Sequence, residues 1–264
     1  MVEQTLSYRV DGEGSPLVLV HGFGISFNIW QDLAPLLRPH FRLVSLELPG
    51  IGVSPAPGAA QDYMQAAVDG IDAVRRALGI EQWSVLGYSS GSRIAEAYAR
   101  QYPDNVRCAY FLCPLRISDH KARALRFGLR LDRSAPGLGD WLLSGGRLRF
   151  LISLLGFNLR AHPREAEWYR DISAVPTEML RLTLRAIAPV AMQLFSVPVP
   201  YTLIWADHDL VVDRPRAQES HDRLIHGRHA APLESADEIA AILIEETGKR
   251  GGRELSDERD RAVL

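Results

Sequence analysis

Cysteine is scarce in this sequence, with two in 264 residues. Cys108 and Cys113 lie five positions apart in one apolar run, and in a strand an odd separation points side chains to opposite faces. We therefore expect no disulfide between them, and their spacing predicts no metal site. An excess of one charge is lacking too, since 30 basic residues stand against 32 acidic ones. Such a balance produces no net positive electrostatic field that would attract nucleic acid, so no nucleic-acid partner is expected.

Two further absences bear on the compartment. The first ten residues have neither a basic start nor an apolar stretch, so the sequence predicts no signal peptide. One uncharged run, residues 186–206, is long enough to span a bilayer, but it contains Pro189, Pro198 and Pro200. Proline interrupts helices, so we interpret this run as a helix end, a linker and a strand. The expected location is the cytoplasm, without membrane contact.

The first 115 residues alternate between strand and helix patterns. Solid apolar runs such as PLVLV at 16–20 are typical of strands that are buried on both faces. The alternation predicts an α/β fold, with a mostly parallel sheet and helices on both faces. Strands are predicted at 5–10, 16–20, 41–46, 83–86 and 106–113, and helices at 28–37, 63–78 and 92–102.

The alternation stops over residues 117–198, which show helical patterns and no strand pattern. We interpret 117–198 as an inserted helical lid, and residues 1–116 together with 199–264 as a discontinuous core. A lid at this point would cover the carboxyl edge of the sheet, where ligands bind in open α/β folds. Beyond it, a strand is predicted at 201–206 and a closing helix at 236–246. The charged stretch from residue 248 onward predicts a frayed tail.

The sharpest motif is Gly87-Tyr88-Ser89-Ser90-Gly91, which lies between a predicted strand and a predicted helix. This is the context of a nucleophile elbow, in which a tight, strained turn exposes the middle side chain. Side chains two positions to either side would collide, which explains the glycines. The motif predicts Ser89 as a nucleophile. Ser90 would contribute its backbone N–H, at the start of the helix, to an oxyanion hole.

A second motif, His21-Gly22-Phe23-Gly24, directly follows the PLVLV strand. Glycines on either side of Phe23 predict that its N–H faces the cleft as the second oxyanion donor. His21 itself is interpreted as a structural turn residue. A dinucleotide site is not predicted, because the third glycine of that motif would fall at Phe27.

A serine hydroxyl needs a base, and the base needs an acid to orient it. On the fold in which a nucleophile elbow occurs, the chain order is nucleophile, acid, base. Asp209 follows the strand at 201–206 and is the predicted acid, with Asp207 and Asp213 as its alternatives. We interpret Asp207 as closing a turn and Asp213 as capping the helix expected just after it. A metal site at Asp207-His208-Asp209 is not favoured, because Asp and His at consecutive positions rarely converge on one ion.

Two candidate bases lie in the loop before the last helix, His226 and His229. The remaining histidines are less well placed, since His40 precedes a strand at its wrong end and the others lie in the predicted lid, in turns or on a helix surface. His229, a few residues ahead of the closing helix, is the predicted base, with His226 as its alternative.

Five segments together resemble the α/β-hydrolase superfamily, and in particular its lid-bearing, serine esterase-like and lipase-like members. They are HGFG (21–24), LELPGIGVS (46–54), GYSSG (87–91), IWADHD (204–209) and GRHAAPLE (227–234). The resemblance implies an α/β-hydrolase fold, a Ser89–His229–Asp209 triad and an oxyanion hole formed by the N–H groups of Phe23 and Ser90. It also implies that no cofactor is needed.

Three features depart from the family pattern. Glu47 stands where the family usually has aspartate, outside the implied triad. Only 20 positions separate Asp209 from His229, whereas relatives usually fit a full helix and a strand there, so one strand is expected to be shortened or lost. Ala230 follows His229, where relatives that hydrolyse carbon–carbon bonds often carry tryptophan.

The leading hypothesis is a serine hydrolase that cleaves carboxylic esters of apolar acyl or aryl groups through an acyl-enzyme. Thioesterase, lactonase and carbon–carbon hydrolase activities would use the same triad, and a lyase or a cofactor-free oxygenase would fit the same scaffold. The expected partner is a small apolar ester, and the oligomeric state is left open. Apolar residues of the predicted lid favour an apolar pocket: Trp141, Leu142, Leu143, Phe150, Ile152, Leu154, Leu155 and Phe157.

Overall fold

A seven-stranded sheet forms the centre of the computed structural model, which describes residues 5–58, 61–143, 147, 165–215 and 222–262. The strands are β1 Tyr8–Asp11, β2 Ser15–Val20, β3 Phe41–Leu46, β4 Trp83–Tyr88, β5 Val106–Leu112, β6 Tyr201–Ala206 and β7 Asp222–Ile225. Their order across the sheet is β1-β3-β2-β4-β5-β6-β7. β1 is antiparallel to β3, and the other pairs are parallel. The mostly parallel sheet predicted from the alternation is confirmed.

The central strands are buried because helices cover the sheet. Every residue of β4 is buried, and so are all but one of β5 and all but one of β6. This burial explains why these strands read as solid apolar runs. The helices are α1 Ala34–Leu37, α2 Tyr63–Ala77, α3 Gly91–Gln101, α4 Asp119–Ser134, α5 Pro136–Leu143, α6 Glu165–Ala174, α7 Thr177–Ile187, α8 Ala231–Glu234 and α9 Ala236–Ala262.

Two sequence predictions about helices are wrong in extent. The helix expected over 28–37 is split into a 3-10 turn, Phe27–Trp30, and the short α1. Pro35 lies in the first turn of α1, and because it has no N–H it cannot continue a helix that arrives from residue 31. The stretch from residue 248, expected to be frayed, instead continues α9 as far as Ala262.

Helices α4 to α7 occupy the segment between β5 and β6 that corresponds to the predicted lid, and its described residues form no strand. A buried carboxylate connects two of these helices. Asp132 of α4 accepts hydrogen bonds from Arg181 at 2.8 Å and from Arg185 at 3.2 Å, both on α7. The opening and closing that the word lid implies stays a prediction.

The predicted lid contacts loops at the carboxyl ends of β2 and β3. Asp171 of α6 accepts hydrogen bonds from the Ser26 hydroxyl at 2.7 Å and from the Asn28 amide at 2.8 Å. Leu180 of α7 packs against the backbone at Gly24. Both contacts lie within or just after the HGFG motif, so the predicted lid is anchored beside the proposed oxyanion loop.

The uncharged run at 186–206 divides as the sequence predicts. Helix α7 ends at Ile187, turns and irregular chain follow, and β6 begins at Tyr201. Within the described ranges, no helix combines the length and the apolar character that crossing a membrane requires.

Candidate active site

Ser89 lies on the turn between β4 and α3 with a φ of 53°. That left-handed conformation is rare and costly for a residue with a side chain. The two motif glycines are explained by close backbone approach. A Cβ at position 87 would lie 2.7 Å from the backbone oxygen of Gly91, and a Cβ at position 91 would lie 2.2 Å from that of His21. The turn is held by the Ser89 N–H, which donates to the Leu112 carbonyl at 2.9 Å.

Ser89, His229 and Asp209 form one hydrogen-bonded chain. Ser89 Oγ lies 2.8 Å from His229 Nε2, and His229 Nδ1 lies 2.7 Å from Asp209 Oδ2. Because Nδ1 faces a carboxylate, it is assigned the ring proton, and Nε2 is then able to accept a proton from the serine hydroxyl. The histidine and aspartate side chains are each 4% exposed, so the chain is shielded from water. The structure therefore brings together the three residues that the sequence analysis named.

Asp209 is held as a carboxylate by several partners. Burial alone raises its pKa, but the charge of His229, the His229 hydrogen bond and two backbone donors outweigh that effect, so the pKa lies below the ordinary value. The two donors are the N–H groups of Val211 and Val212, at 2.8 and 3.1 Å from Oδ1. A carboxylate fixed through both oxygens can orient the imidazole and stabilise its protonated form.

The backbone around Ser89 contains both predicted oxyanion donors. Ser90 precedes α3 and is 1% exposed, so its N–H lies at a helix N-terminus next to Ser89. Gly22 lies against Ser89, since a Cβ at position 22 would be 3.1 Å from the Ser89 Cβ. Phe23 follows Gly22 and is half-buried. Ser90 and Phe23 therefore lie close to Ser89, and their role as oxyanion donors stays a prediction.

His21 is a buried turn residue, as its position in the sequence indicates. Its Nε2 accepts a hydrogen bond from the Leu48 N–H at 3.0 Å, and its Nδ1 donates to the Gly22 carbonyl at 2.9 Å. Burial lowers the pKa of His21 to about 4, so the ring is neutral at pH 7. A neutral ring is what these two hydrogen bonds require, because one nitrogen must accept while the other donates.

Tyr88 contacts His229 in a way that sequence reasoning missed. Its phenol donates to the backbone carbonyl of His229 at 2.5 Å, and its ring lies 5.4 Å from the imidazole. Burial raises the pKa of Tyr88 well above its ordinary value, so the phenol keeps the proton it donates. The turn that carries Ser89 thus also contacts the backbone of His229. No sequence signal indicates this contact, because Tyr88 occupies a variable position of the motif.

Cys113 is a second residue near the site that was not assigned a role. It follows β5 at a φ of 42°. Its Sγ, a carboxylate oxygen of Asp209 and a ring nitrogen of His229 lie within 4.8 Å of one another. Burial raises the pKa of Cys113 well above its ordinary value, and the charge and hydrogen bond of Asp209 add to the effect. The thiol is therefore neutral. Both cysteines of the chain are free and buried.

Asp207, the alternative acid, and His226, the alternative base, contact each other. Neither belongs to the hydrogen-bonded chain of Ser89, His229 and Asp209. His226 Nδ1 lies 2.9 Å from Asp207 Oδ2, and His208 Nδ1 lies 2.6 Å from Asp207 Oδ1. Asp207 also accepts from the Gly227 N–H at 3.0 Å, which agrees with its interpretation as a turn residue. The consecutive residues Asp207 and His208 thus contact each other, whereas Asp209 contacts His229.

Asp213 stabilises the start of α4. The helix that it was expected to cap would lie just beyond residue 215, outside the described residues, so that interpretation stays a prediction. Its Oδ2 accepts from the Ser118 N–H at 2.7 Å, and its Oδ1 pairs with Lys121 at 2.8 Å. Sequence spacing could not reveal this partner, which lies about 95 residues earlier in the chain.

The departures from the family pattern have structural explanations. The strand expected to be shortened or lost is β7, which has four residues and pairs with β6. Glu47 is buried outside the hydrogen-bonded chain, accepts from the Val53 N–H at 3.1 Å, and has its pKa raised by burial. Ala230 is fully buried directly after His229.

The apolar residues assigned to the predicted lid are described only in part. Trp141 is 52% exposed, and Leu143 is half-buried against the core. The side chains of the other six lie outside the described residues, so the apolar pocket stays a prediction: Leu142, Phe150, Ile152, Leu154, Leu155 and Phe157.

The sequence matches the alpha/beta hydrolase fold family over residues 15–233. The chain therefore belongs to that family. It is similar to a pimeloyl-[acyl-carrier protein] methyl ester esterase of Pectobacterium carotovorum subsp. carotovorum (strain PC1), 37% identical over 103 residues that cover 39% of this chain and 38% of that protein. It is also similar to a fluoroacetate dehalogenase of a Burkholderia sp, 32% identical over 106 residues that cover 39% of this chain and 35% of that protein.

These matches span well under half the length of either relative. The similarity of fold extends over nearly the whole chain. A hydrolase from Pseudomonas aeruginosa PA01 superimposes with a TM-score of 0.77 over 92% of this chain and 94% of that one, at 18% identity.

Proposed function

We propose that this protein is a serine hydrolase that cleaves carboxylic esters of apolar acyl or aryl groups through an acyl-enzyme. The observation that carries the proposal is the 2.8 Å contact between Ser89 Oγ and His229 Nε2, continued by the 2.7 Å contact to Asp209. A nucleophile, a base and an orienting acid at these distances are the parts that covalent acyl transfer requires.

In the first half-reaction, Ser89 Oγ attacks the ester carbonyl carbon and its proton passes to His229 Nε2. The N–H groups of Phe23 and Ser90 stabilise the negative charge that develops on the carbonyl oxygen. The carbon–oxygen bond to the alcohol then breaks, and the alcohol leaves with the proton from Nε2. The acyl group remains on Ser89.

In the second half-reaction, a water molecule gives a proton to His229 Nε2 and attacks the acyl carbon. Collapse of the tetrahedral intermediate breaks the bond to Ser89 Oγ, which recovers the proton from Nε2. Asp209 keeps its charge throughout and stabilises the imidazolium that forms twice in each cycle.

A serine nucleophile favours acyl transfer over the dehalogenation named for one relative. Displacement of a halide by Ser89 Oγ would leave an alkyl ether, which has no carbonyl for water to attack. An acyl ester on the same oxygen is hydrolysed readily once a base activates water. The chemistry of residue 89 therefore supports esters, thioesters and lactones over alkyl halides.

The test is turnover of p-nitrophenyl esters of increasing chain length, with paired serine variants. Ser89→Ala should lower kcat by roughly 10⁶-fold, the usual cost of removing a triad nucleophile. Ser90→Ala is the matched control and should keep substantial activity, because only its backbone is used. A Ser89→Ala variant that retains more than a tenth of the activity would contradict the proposal.

Cleavage that does not pass through an acyl-enzyme is the main alternative. In a lyase or a cofactor-free oxygenase, His229 would act as a base on the substrate itself. Such an enzyme would turn over its substrate without a burst of the first product and without an acyl adduct on Ser89. Rapid-quench kinetics with mass spectrometry of the intact protein separates the two mechanisms.

One observation favours a second kind of ester, borne by an acidic carrier such as the acyl-carrier protein in the name of the similar esterase. Four exposed arginines follow one face of α4 at spacings of three and four residues: Arg123, Arg126, Arg130 and Arg133. Such a row attracts an acidic protein surface. Substituting Arg126 and Arg130 with Glu should raise KM for a carrier-bound methyl ester and leave the free methyl ester unaffected. Equal effects on both would exclude carrier recognition.

A further inference from the structure

We propose that Asp207, His208 and His226 form a surface site for a divalent transition-metal ion, of which Zn²⁺ is the reference case. The three side chains each offer one ligand atom, and these atoms lie within 4.8 Å of one another. The site is separate from the Ser89–His229–Asp209 chain and does not depend on the proposed function.

The geometry is close to that of a bound ion. The Asp207 carboxylate lies 2.6 Å from His208 Nδ1 and 2.9 Å from His226 Nδ1, each through a different oxygen. Around a tetrahedral zinc ion with bonds of about 2.0–2.1 Å, neighbouring ligand atoms are about 3.3 Å apart. Small side-chain rotations therefore suffice to replace the two bridging protons with a metal ion.

The backbone that carries these ligands is already fixed. The His208 N–H donates to the Gly227 carbonyl at 3.0 Å, and the Gly227 N–H donates to Asp207 Oδ1 at 3.0 Å. The His226 N–H donates to Glu238 at 3.0 Å. Ligands held in place by their own backbone lose little conformational entropy when an ion binds.

The ligand set selects the class of ion. Two imidazole nitrogens and one carboxylate suit Zn²⁺, Ni²⁺ or Cu²⁺, whereas Mg²⁺ and Ca²⁺ prefer oxygen ligands. His208 and His226 are 63% and 78% exposed, so an ion can reach them from solvent. Both also line a surface pocket with Glu234, which leaves space for a water molecule at the remaining coordination position.

An ion here would cross-link the two loops that carry Asp209 and His229. Asp207 lies two residues before Asp209, and His226 lies three residues before His229. Because the ligands are assembled only in the folded protein, the ion binds the native state and stabilises it.

The experiment measures Zn²⁺ binding to the full chain by isothermal titration calorimetry, and thermal unfolding with and without Zn²⁺. We expect saturable binding of one ion and a rise in Tm of roughly 5 °C at a hundredfold excess over Kd. Mg²⁺ should produce no rise. The double variant His208→Ala/His226→Ala should lose both signals, whereas the matched control His40→Ala/His120→Ala, at exposed histidines elsewhere, should keep them.

Two results would overturn the proposal. One is the absence of saturable Zn²⁺ binding to the wild-type chain. The other is Zn²⁺ binding that survives in the His208→Ala/His226→Ala variant. Such binding would point to another set of potential ligands, Cys113, Asp209 and His229, as the site of the ion. The single variant His226→Ala provides the same test if the double variant has a lowered Tm without metal.

Discussion

Two Asp–His pairs join the same two loops at the carboxyl edge of the sheet, and their contrast shows what distinguishes a candidate base. The Asp209–His229 contact is 2.7 Å long and the Asp207–His226 contact is 2.9 Å long. The side chains of the first pair are each 4% exposed, whereas Asp207 and His226 are 30% and 78% exposed. Pair distance alone therefore does not separate them, and burial does.

Burial changes what an ion pair can accomplish. Water and salt screen the exposed pair, so its contribution to stability is small. The buried pair acts in a medium of low dielectric constant, where the Asp209 carboxylate interacts more strongly with the imidazolium that forms in the proposed reaction. His229 also has a third partner, Ser89, at its Nε2. This difference makes His229–Asp209 the proposed catalytic pair and leaves the outer pair available for other ligands.

The largest expected difference between the pairs is in their histidines. His229→Ala should lower kcat for p-nitrophenyl esters by roughly 10⁶-fold, because base and nucleophile act as one unit. His226→Ala is the matched control and should stay within about threefold of the wild type, since its side chain lies at the exposed surface. The comparison fails if His226→Ala is the inactive variant.

The aspartates should differ by a smaller factor. Asp209→Asn should lower kcat by roughly 10⁴-fold, because the amide no longer fixes the tautomer of His229. Asp207→Asn should change kcat by less than about tenfold. The pKa of Asp209 lies below its ordinary value, so Asp209 stays ionised near neutral pH, and the pH–rate profile of Asp207→Asn should match that of the wild type. Similar losses in both variants would show that the two pairs work together.

A third histidine, His21, should make the free energy of unfolding depend on pH. Its folded pKa of about 4 lies below the ordinary value of 6.5, so the unfolded chain binds the proton more readily. The stabilisation from neutral His21 is present above pH 6.5 and is lost as the pH falls towards 4. Between pH 7.5 and 5 this loss should amount to about 2 kcal/mol.

Urea unfolding of the wild type and of His21→Gln at both pH values measures this loss. The variant should be less stable at pH 7.5 but should lack about 2 kcal/mol of the pH-dependent decrease. Parallel pH dependence in the two proteins would contradict a buried, neutral His21.

The smallest expected effect concerns the hydroxyls that hold the two histidine backbones. Tyr88 donates to the His229 carbonyl, and Ser235 donates to the His226 carbonyl, both at 2.5 Å. Tyr88→Phe should lower the free energy of unfolding by about 1–2 kcal/mol and kcat by up to about tenfold, because a buried carbonyl loses its partner. Ser235→Ala should lower stability comparably and leave kcat unchanged. Equal kcat values for both variants would remove the positioning role of Tyr88.

Much of the fold was predictable because its signals are local. The strands β2 to β5 are apolar runs bounded by turns, and the elbow motif has a fixed relation to the strand and helix around it. The prediction of one continuous helix over 28–37 was wrong, because it followed the apolar periodicity and did not allow for the break at Pro35. The end of α9 was also missed, because charge alone does not prevent a helix.

The candidate site was predictable where the chemistry fixes the residue types and the resemblance to a known fold implies their order. Ser89, Asp209 and His229 satisfy that order, and the structure brings them into contact. The contacts of Tyr88, Cys113 and Asp213 were not predictable, because each joins segments from distant parts of the chain. Cys113 had one usable signal: it directly follows β5, the strand beside the one that precedes Asp209, so both residues reach the same sheet edge.

The most direct test of the central claim is covalent labelling with a fluorophosphonate, followed by mass spectrometry of the intact protein and its peptides. If Ser89 is the nucleophile, we expect one adduct on Ser89 Oγ with loss of fluoride and no adduct in Ser89→Ala. Labelling should be strongly slowed in His229→Ala and unchanged in His226→Ala. An adduct at any other residue, or labelling that persists in Ser89→Ala or is slowed equally by both histidine variants, would contradict the central claim.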